Sequence, residues 1–224
     1  GTLLGVYDVR YNNSADLQEH VDVGLSRSTD GGQTWEKMRL PLAFGEYDGL
    51  PAAQNGVGDP SILVDTKTNT MWSSHPGMDF NHTAQLVVTK SMDDGKTWSA
   101  PINITEQVKD PSWYFLLQGP GRGITMDDGT LVFPTQFIDS TRVPNAGIMY
   151  SKDGGETWKM HNYARTNTTE AQVAEVESGV LMLNMRDNRK GSRAVAMTKD
   201  LGQTWMEHVS SRSALQESVC MASL

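Results

Sequence analysis

Four copies of one eight-residue pattern punctuate the chain: "STDGGQTW" (Ser28 to Trp35), "SMDDGKTW" (Ser91 to Trp98), "SKDGGETW" (Ser151 to Trp158) and "TKDLGQTW" (Thr198 to Trp205). Successive copies begin 63, 60 and 47 residues apart, a spacing at which repeats build solenoids, propellers or arrays. Strand signals decide among these. Each copy follows a β-rich run ("HVDVGLS", "AQLVVTK", "AGIMYS", "RAVAMTK") and precedes a shorter one ("WEKMRL", "WSAPINI", "WKMHNY", "WMEHV"). Asp and Gly between two such runs mark a hairpin, because Gly permits positive φ and Asp bonds back to nearby amides. A second hairpin separates successive copies, with turns at Thr66 to Asn69, Asp127 to Gly129 and Glu177 to Gly179. The unit is two hairpins, hence four antiparallel strands, and such units set around an axis make a β-propeller.

The expected fold is therefore all-β, with the repeated turn joining strands three and four of every blade. Helical signals are weak, and the best of them, near Ala15 to Glu19, is short. The register places "GTLLGVY" at a second strand and "VCMASL" (Val219 to Leu224) at an innermost strand. Residues 1–224 are then expected to hold a first blade lacking its innermost strand, three complete blades and the start of a fifth near 219–224. In up-and-down blades all four repeated turns fall on one rim. Their Asp30, Asp93, Asp153 and Asp200 are expected to organise turns and their tryptophans to pack, as scaffold.

The opposite rim collects a different population. Arg10, Asn12, Asn13, Asp16 and Glu19 fall in the first blade's loop between strands two and three, and Asp59 opens the second blade's innermost strand. Trp113 and Gln118 lie in a long inter-blade connection, Glu170 precedes the fourth innermost strand, and Arg186 closes the strand after it. A net charge of −8 disfavours nucleic acid and anionic membranes, so an anionic ligand would need clustered arginines. The five histidines form no HExxH or His/Cys cluster and Cys220 is the only cysteine, so neither a catalytic metal, another cofactor nor an intrachain disulfide is expected. No apolar run has membrane-spanning length.

The four turns resemble the Asp-box, or bacterial neuraminidase, repeat, three in full and one with Thr198 in place of Ser. "TEAQVAEVESGVLMLNMRD" resembles the segment of bacterial-type exo-α-sialidases in which a glutamate precedes, by about sixteen residues, one arginine of a substrate-carboxylate triad; Glu170 and Arg186 have that separation. "YDVRYNNSADL" and "GDPS" are similar to the stretches carrying the acid/base aspartate and the contacts to the sugar's O4 hydroxyl. The resemblance implies a six-bladed propeller, Asp16 as acid/base, Glu170 as the base that polarises a nucleophilic tyrosine, and Arg186 on the substrate carboxylate. Arg10 and Asp59 are implied for O4, with Gln118 and Trp113 as weaker sugar contacts. Sialylated glycans are the implied partners.

Physics fits such a site. Arginine binds a carboxylate bidentately without losing its charge, and a neutral phenol avoids the repulsion that a carboxylate nucleophile would meet from sialic acid. Structural alternatives stand beside each role. Asp16 and Glu170 are also ordinary surface acids, Arg186 has Asp187 for a partner, Arg10 has Asp8 or Asp22, and Asp59 is a turn residue before proline. The first and third triad arginines and the nucleophilic tyrosine find no match in these residues. The chain alone is therefore expected to be inactive within an active parent. A non-catalytic propeller binding glycan or protein, and a trans-sialidase, are the rival readings. Substrate access implies a secreted, periplasmic or cell-surface location. A sequon at Asn12 beside Asp16 favours a bacterial source over a glycosylating pathway.

Overall fold

The apolar runs form antiparallel sheets in sequential order. The computed structural model describes residues 1–12, 14, 20–43, 45–46, 51, 55–79 and 84–223. The first sheet holds Leu3–Arg10, Val21–Ser28 and Arg39–Leu42. The second runs Ser61–Val64, Met71–Asp79, Ala84–Ser91 and Ile102–Asn103. Ile124–Thr125, Leu131–Ile138, Pro144–Ser151 and Lys159–Met160 make the third. Thr168–Glu177, Val180–Asp187, Ala194–Thr198 and Met206–Glu207 make the fourth. These are β-propeller blades. At the inner edge, Gly121 and Arg122 pair in parallel with Ser61 and Ile62, joining the second blade to the third. The one helical turn among the described residues is Thr105–Val108; the helical candidate near residues 15–19 lies outside them.

The core lies between blades. Leu63, Trp72, Leu86 and Val88 of the second blade meet Leu116, Phe133, Met149 and Trp158 of the third. Val132, Ala146 and Ile148 on the third blade's other face meet Val173, Leu181 and Leu183 of the fourth. A smaller cluster of Val23, Leu42, Val57 and Val87 joins the first two. Because the third blade is buried on both faces, "LVFPTQFI" reads as a nearly continuous apolar run. Each fully buried aromatic here removes ~200 Å² from water, worth about 5 kcal/mol as an upper estimate.

The repeated turn is built the same way four times. Ser28 donates to Asp30 Oδ1 (2.8 Å) and accepts from the Gly32 amide (2.8 Å), while Thr34 donates its amide to Oδ1 (2.9 Å) and its hydroxyl to Oδ2 (2.6 Å). Asp93, Asp153 and Asp200 repeat the set, with Thr198 replacing the serine. Bonds from the Thr side chains and amides stabilise the ionised form. Asp30, Asp153 and Asp200 are held down to about 2, and Asp93, whose largest cause is the Thr97 amide, lower still. Residues 219–223, expected as an innermost strand, are in no sheet; Gln216–Glu217 pair instead with Gly191–Ser192.

Candidate functional site

In three successive blades the innermost strand breaks register against its neighbour, part-way along the second and third blades and at the rim away from the repeated turns in the fourth. In the second, Val57 faces Gly77 and Ser61 faces Ser74, so Gly58, Asp59 and Pro60 oppose only two residues. In the third, Gln118 faces Thr135 and Ile124 faces Val132, so the five residues Gly119 to Gly123 oppose only Phe133 and Pro134. In the fourth, Thr169 faces Arg186 and Ala171 faces Met185, so Glu170 is the extra residue. A bulge releases its residue from the ladder and re-aims its side chain, which is why bulges gather beside active sites.

Around the second-blade bulge, Arg10, Asp8, Asp59, Pro60, Gly121 and Met221 help line an open cavity of about 480 Å³. Arg10 closes the strand Leu3–Arg10 and pairs with Asp8 at 2.9 Å. Its Nη1 also donates to the Ser14 carbonyl at 2.7 Å. Of the partners the sequence offered Arg10, the structure selects Asp8. Asp59 has φ +44, sparsely populated for a residue with a Cβ, and its amide donates to Asp8 Oδ1 at 2.8 Å.

The second centre adjoins through the third-blade bulge. A Cβ on Gly119 would lie 2.8 Å from the Ala171 carbonyl, so glycine lets this loop pass against the residue after Glu170. Gln172 reaches back to the Pro120 carbonyl at 2.7 Å. Here Arg186 Nη1 donates to Glu170 Oε2 at 2.8 Å, both side chains about a third exposed or less. Arg186 Nε is buried without a hydrogen-bond partner. Arg186 therefore pairs with Glu170, whereas Asp187 points to the opposite face, fully buried, with Arg189 at 3.2 Å, Arg212 at 3.1 Å and Arg165 at 3.6 Å.

Arg193, which the sequence reading missed, backs this pair. Only 3% exposed, it donates through Nε to Asn184 Oδ1, through Nη1 to the Cys220 carbonyl at 2.6 Å and through Nη2 to the Glu170 carbonyl at 3.4 Å. Burial lowers its pKa, partly offset by Glu217 at 3.5 Å. Its place two residues after Gly191, facing a strand that ends in arginine, was the available signal.

The other expected residues separate. Asp16 lies outside the described residues. Gln118 is revised: it has no exposed surface, its Nε2 donates to the Asp59 carbonyl, and its Oε1 is buried without a partner, so it supports the bulge from within. Trp113 is revised as well, because its ring stacks on Phe137 at 3.8 Å and packs against the core between the second and third blades. Asp30, Asp93, Asp153 and Asp200 stay in their turns on the other rim.

Blades of antiparallel strands, Asp-box turns on one rim and a carboxylate–guanidinium pair on the other define a β-propeller of the Asp-box type. The chain belongs to the family of BNR repeat-like domains, whose model matches residues 1–221. It is 84% identical over 240 residues to a sialidase of Bacteroides fragilis (strain YCH46), covering 100% of this chain and 44% of that protein. It is 35% identical to a sialidase of Paraclostridium sordellii, covering 92% of this chain and 54% of that one. Among solved structures it superposes on the Hadza microbial sialidase Hz136 with a TM-score of 0.96 at 63% identity, over 98% of this chain and 46% of that one. The chain spans about half the length of the curated relatives it matches.

Proposed function

We propose that this chain forms part of the catalytic propeller of an exo-α-sialidase, which hydrolyses terminal sialic acid from glycoconjugates with retention through a tyrosine nucleophile. The observation that carries the reading is the Glu170–Arg186 contact at 2.8 Å on the rim away from the Asp-boxes. The sialidase names of relatives at 84% and 35% identity support it. In this reading residues 1–224 supply an arc of that propeller's blades.

The chemistry follows from charge. Sialic acid carries a carboxylate on its anomeric carbon. Arg186 bonds Glu170 through Nη1, which leaves Nη2 of a planar, permanently charged fork for that carboxylate. Glu170 takes the proton of a tyrosine as the phenolate attacks the anomeric carbon. The tyrosine remains neutral until then and so is not repelled by the substrate. Asp16 protonates the departing glycosidic oxygen and then deprotonates the water that releases the sugar, a switch that requires its pKa to rise under bound sugar. Arg10 and Asp59 hold the O4 hydroxyl at the cavity.

Sialylated glycans place the enzyme outside the cytoplasm, secreted, periplasmic or on the cell surface of a bacterium. Among the described residues no helix is long and apolar enough to cross a membrane. The test assays full-length protein on a fluorogenic sialoside beside Glu170→Gln, Arg186→Lys and residues 1–224 alone. The reading expects hydrolysis by the full-length protein only, with kcat/KM at least about 100-fold lower in each variant. Undiminished turnover by Glu170→Gln, or any by the isolated chain, refutes the assignment.

A further inference from the structure

Asp8 belongs to no expected role, yet its side chain holds groups on both sides of the cavity. It lies two residues before Arg10 on the same face of the strand Leu3–Arg10, and only 12% of its side chain is exposed. One oxygen, Oδ2, accepts from Arg10 Nη2 at 2.9 Å and from Nε at 3.3 Å. The other, Oδ1, accepts from the backbone amide of Asp59 at 2.8 Å, across the junction between the first and second blades. We propose that Asp8 is the positioning residue of this subsite: its two oxygens fix the Arg10 guanidinium and the Asp59 bulge at one separation, so that a sugar hydroxyl fits between them.

The geometry gives three reasons. Asp59 sits at φ +44, and a peptide strained in that way persists only when its surroundings over-determine it; the Asp8 carboxylate and the Gln118 amide grip it from either side. A hydroxyl subsite shared by a guanidinium and a carboxylate also works only while those two groups are kept from closing on each other, and Asp8 holds the Arg10 guanidinium at 2.9 Å. Finally, Arg10 Nη1 donates to the Ser14 carbonyl, so the guanidinium that Asp8 holds also fixes that backbone oxygen. With both oxygens engaged by protein donors, Asp8 acts through Arg10 and Asp59 and not on the sugar itself.

Both oxygens accept, which makes the substitution informative. In Asp8→Asn one oxygen becomes an NH₂, so whichever way the amide turns, a donor faces either Arg10 or the Asp59 amide. The inference rests on the reading that Arg10 and Asp59 bind O4, and the test separates the two. Full-length wild type, Asp8→Asn and Arg10→Ala are compared on a fluorogenic sialoside and on its 4-deoxy analogue, with unfolding midpoints measured alongside. Wild type is expected to prefer the 4-hydroxyl substrate by about tenfold or more in kcat/KM. In Asp8→Asn that preference falls toward one, mainly through KM.

A fold-supporting role alone would lower both substrates equally and leave the preference intact, which overturns the proposal. If Arg10→Ala loses the preference while Asp8→Asn keeps it, Asp8 alone is misassigned. If Arg10→Ala keeps it too, the O4 reading fails and the proposal with it. Should Asp8→Asn be too unstable to purify, Asp8→Glu keeps the charge, displaces it by one methylene, and is read on the same ratio.

Discussion

Gly154 and Gly155 are neighbours in one Asp-box and should respond very differently to alanine. Both have positive φ, +70 and +92. A Cβ on Gly154 meets nothing within 4 Å, whereas one on Gly155 would lie 2.2 Å from Trp72 Cζ2 and 2.6 Å from Cε2. Trp72 cannot retreat easily, being 1% exposed and set edge-to-face against Trp158 at 6.1 Å. The chain has already made part of this experiment. Where the third copy has Gly154, the second has Asp94 (φ +63) and the fourth Leu201 (φ +57), but all four keep glycine at the next position. Left-handed strain costs about 1–2 kcal/mol, of which the restricted unfolded chain returns about 0.4–1. Gly154→Ala should therefore cost about 1 kcal/mol. Gly155→Ala adds overpacking of about 1–3 kcal/mol, for a total of about 2–4. Denaturant midpoints of the full-length protein, followed by tryptophan fluorescence, read the difference. Equal costs for the two variants would show that the contact with Trp72 is not what fixes the glycine.

Two further outcomes can be measured on the same protein. Burial pushes His75 down to about 3, so below about pH 6.5 the unfolded chain takes up a proton that the folded chain refuses. His75 thus contributes stability that is present above about pH 6.5 and lost at up to about 1.4 kcal/mol per unit as pH falls toward 3. His75→Gln should flatten that part of the pH–stability curve, and an unchanged slope assigns the acid sensitivity elsewhere. Arg193→Met should destabilise by about 3 kcal/mol or more, because it strands Glu217 and Asn184 in a buried setting. It should also lower kcat by shifting the Glu170 bulge; normal turnover per folded molecule would leave Arg193 as scaffold only.

What the sequence revealed and what it concealed divide by the range of the interactions. Each Asp-box is legible because its carboxylate finds every partner within four residues, so the motif carries its own geometry. Glu170 and Arg186 were legible for a related reason. A hairpin turning at Ser178 and Gly179 sets residues whose numbers sum to about 356 side by side, as Val173 and Leu183 are. Sixteen residues is simply the depth at which that hairpin reaches the rim. The bulges were not legible, since an extra residue exists only relative to a partner strand, and "GVGDPS" or "QGPGRG" alone reads as a turn. Trp113 and Gln118 read as part of a long inter-blade connection. Yet Phe115–Gln118 is a strand against Thr135 to Ile138, and the neighbouring blades bury it. Asp8 and Arg193 escaped for the opposite reason. Each looked like one more charge on a strand end, and its role rests on amides and carbonyls supplied from 51 and 27 residues away. In a propeller, separate blades exchange such backbone contacts, so a residue that holds a site in place can take its partner from well beyond its own hairpin.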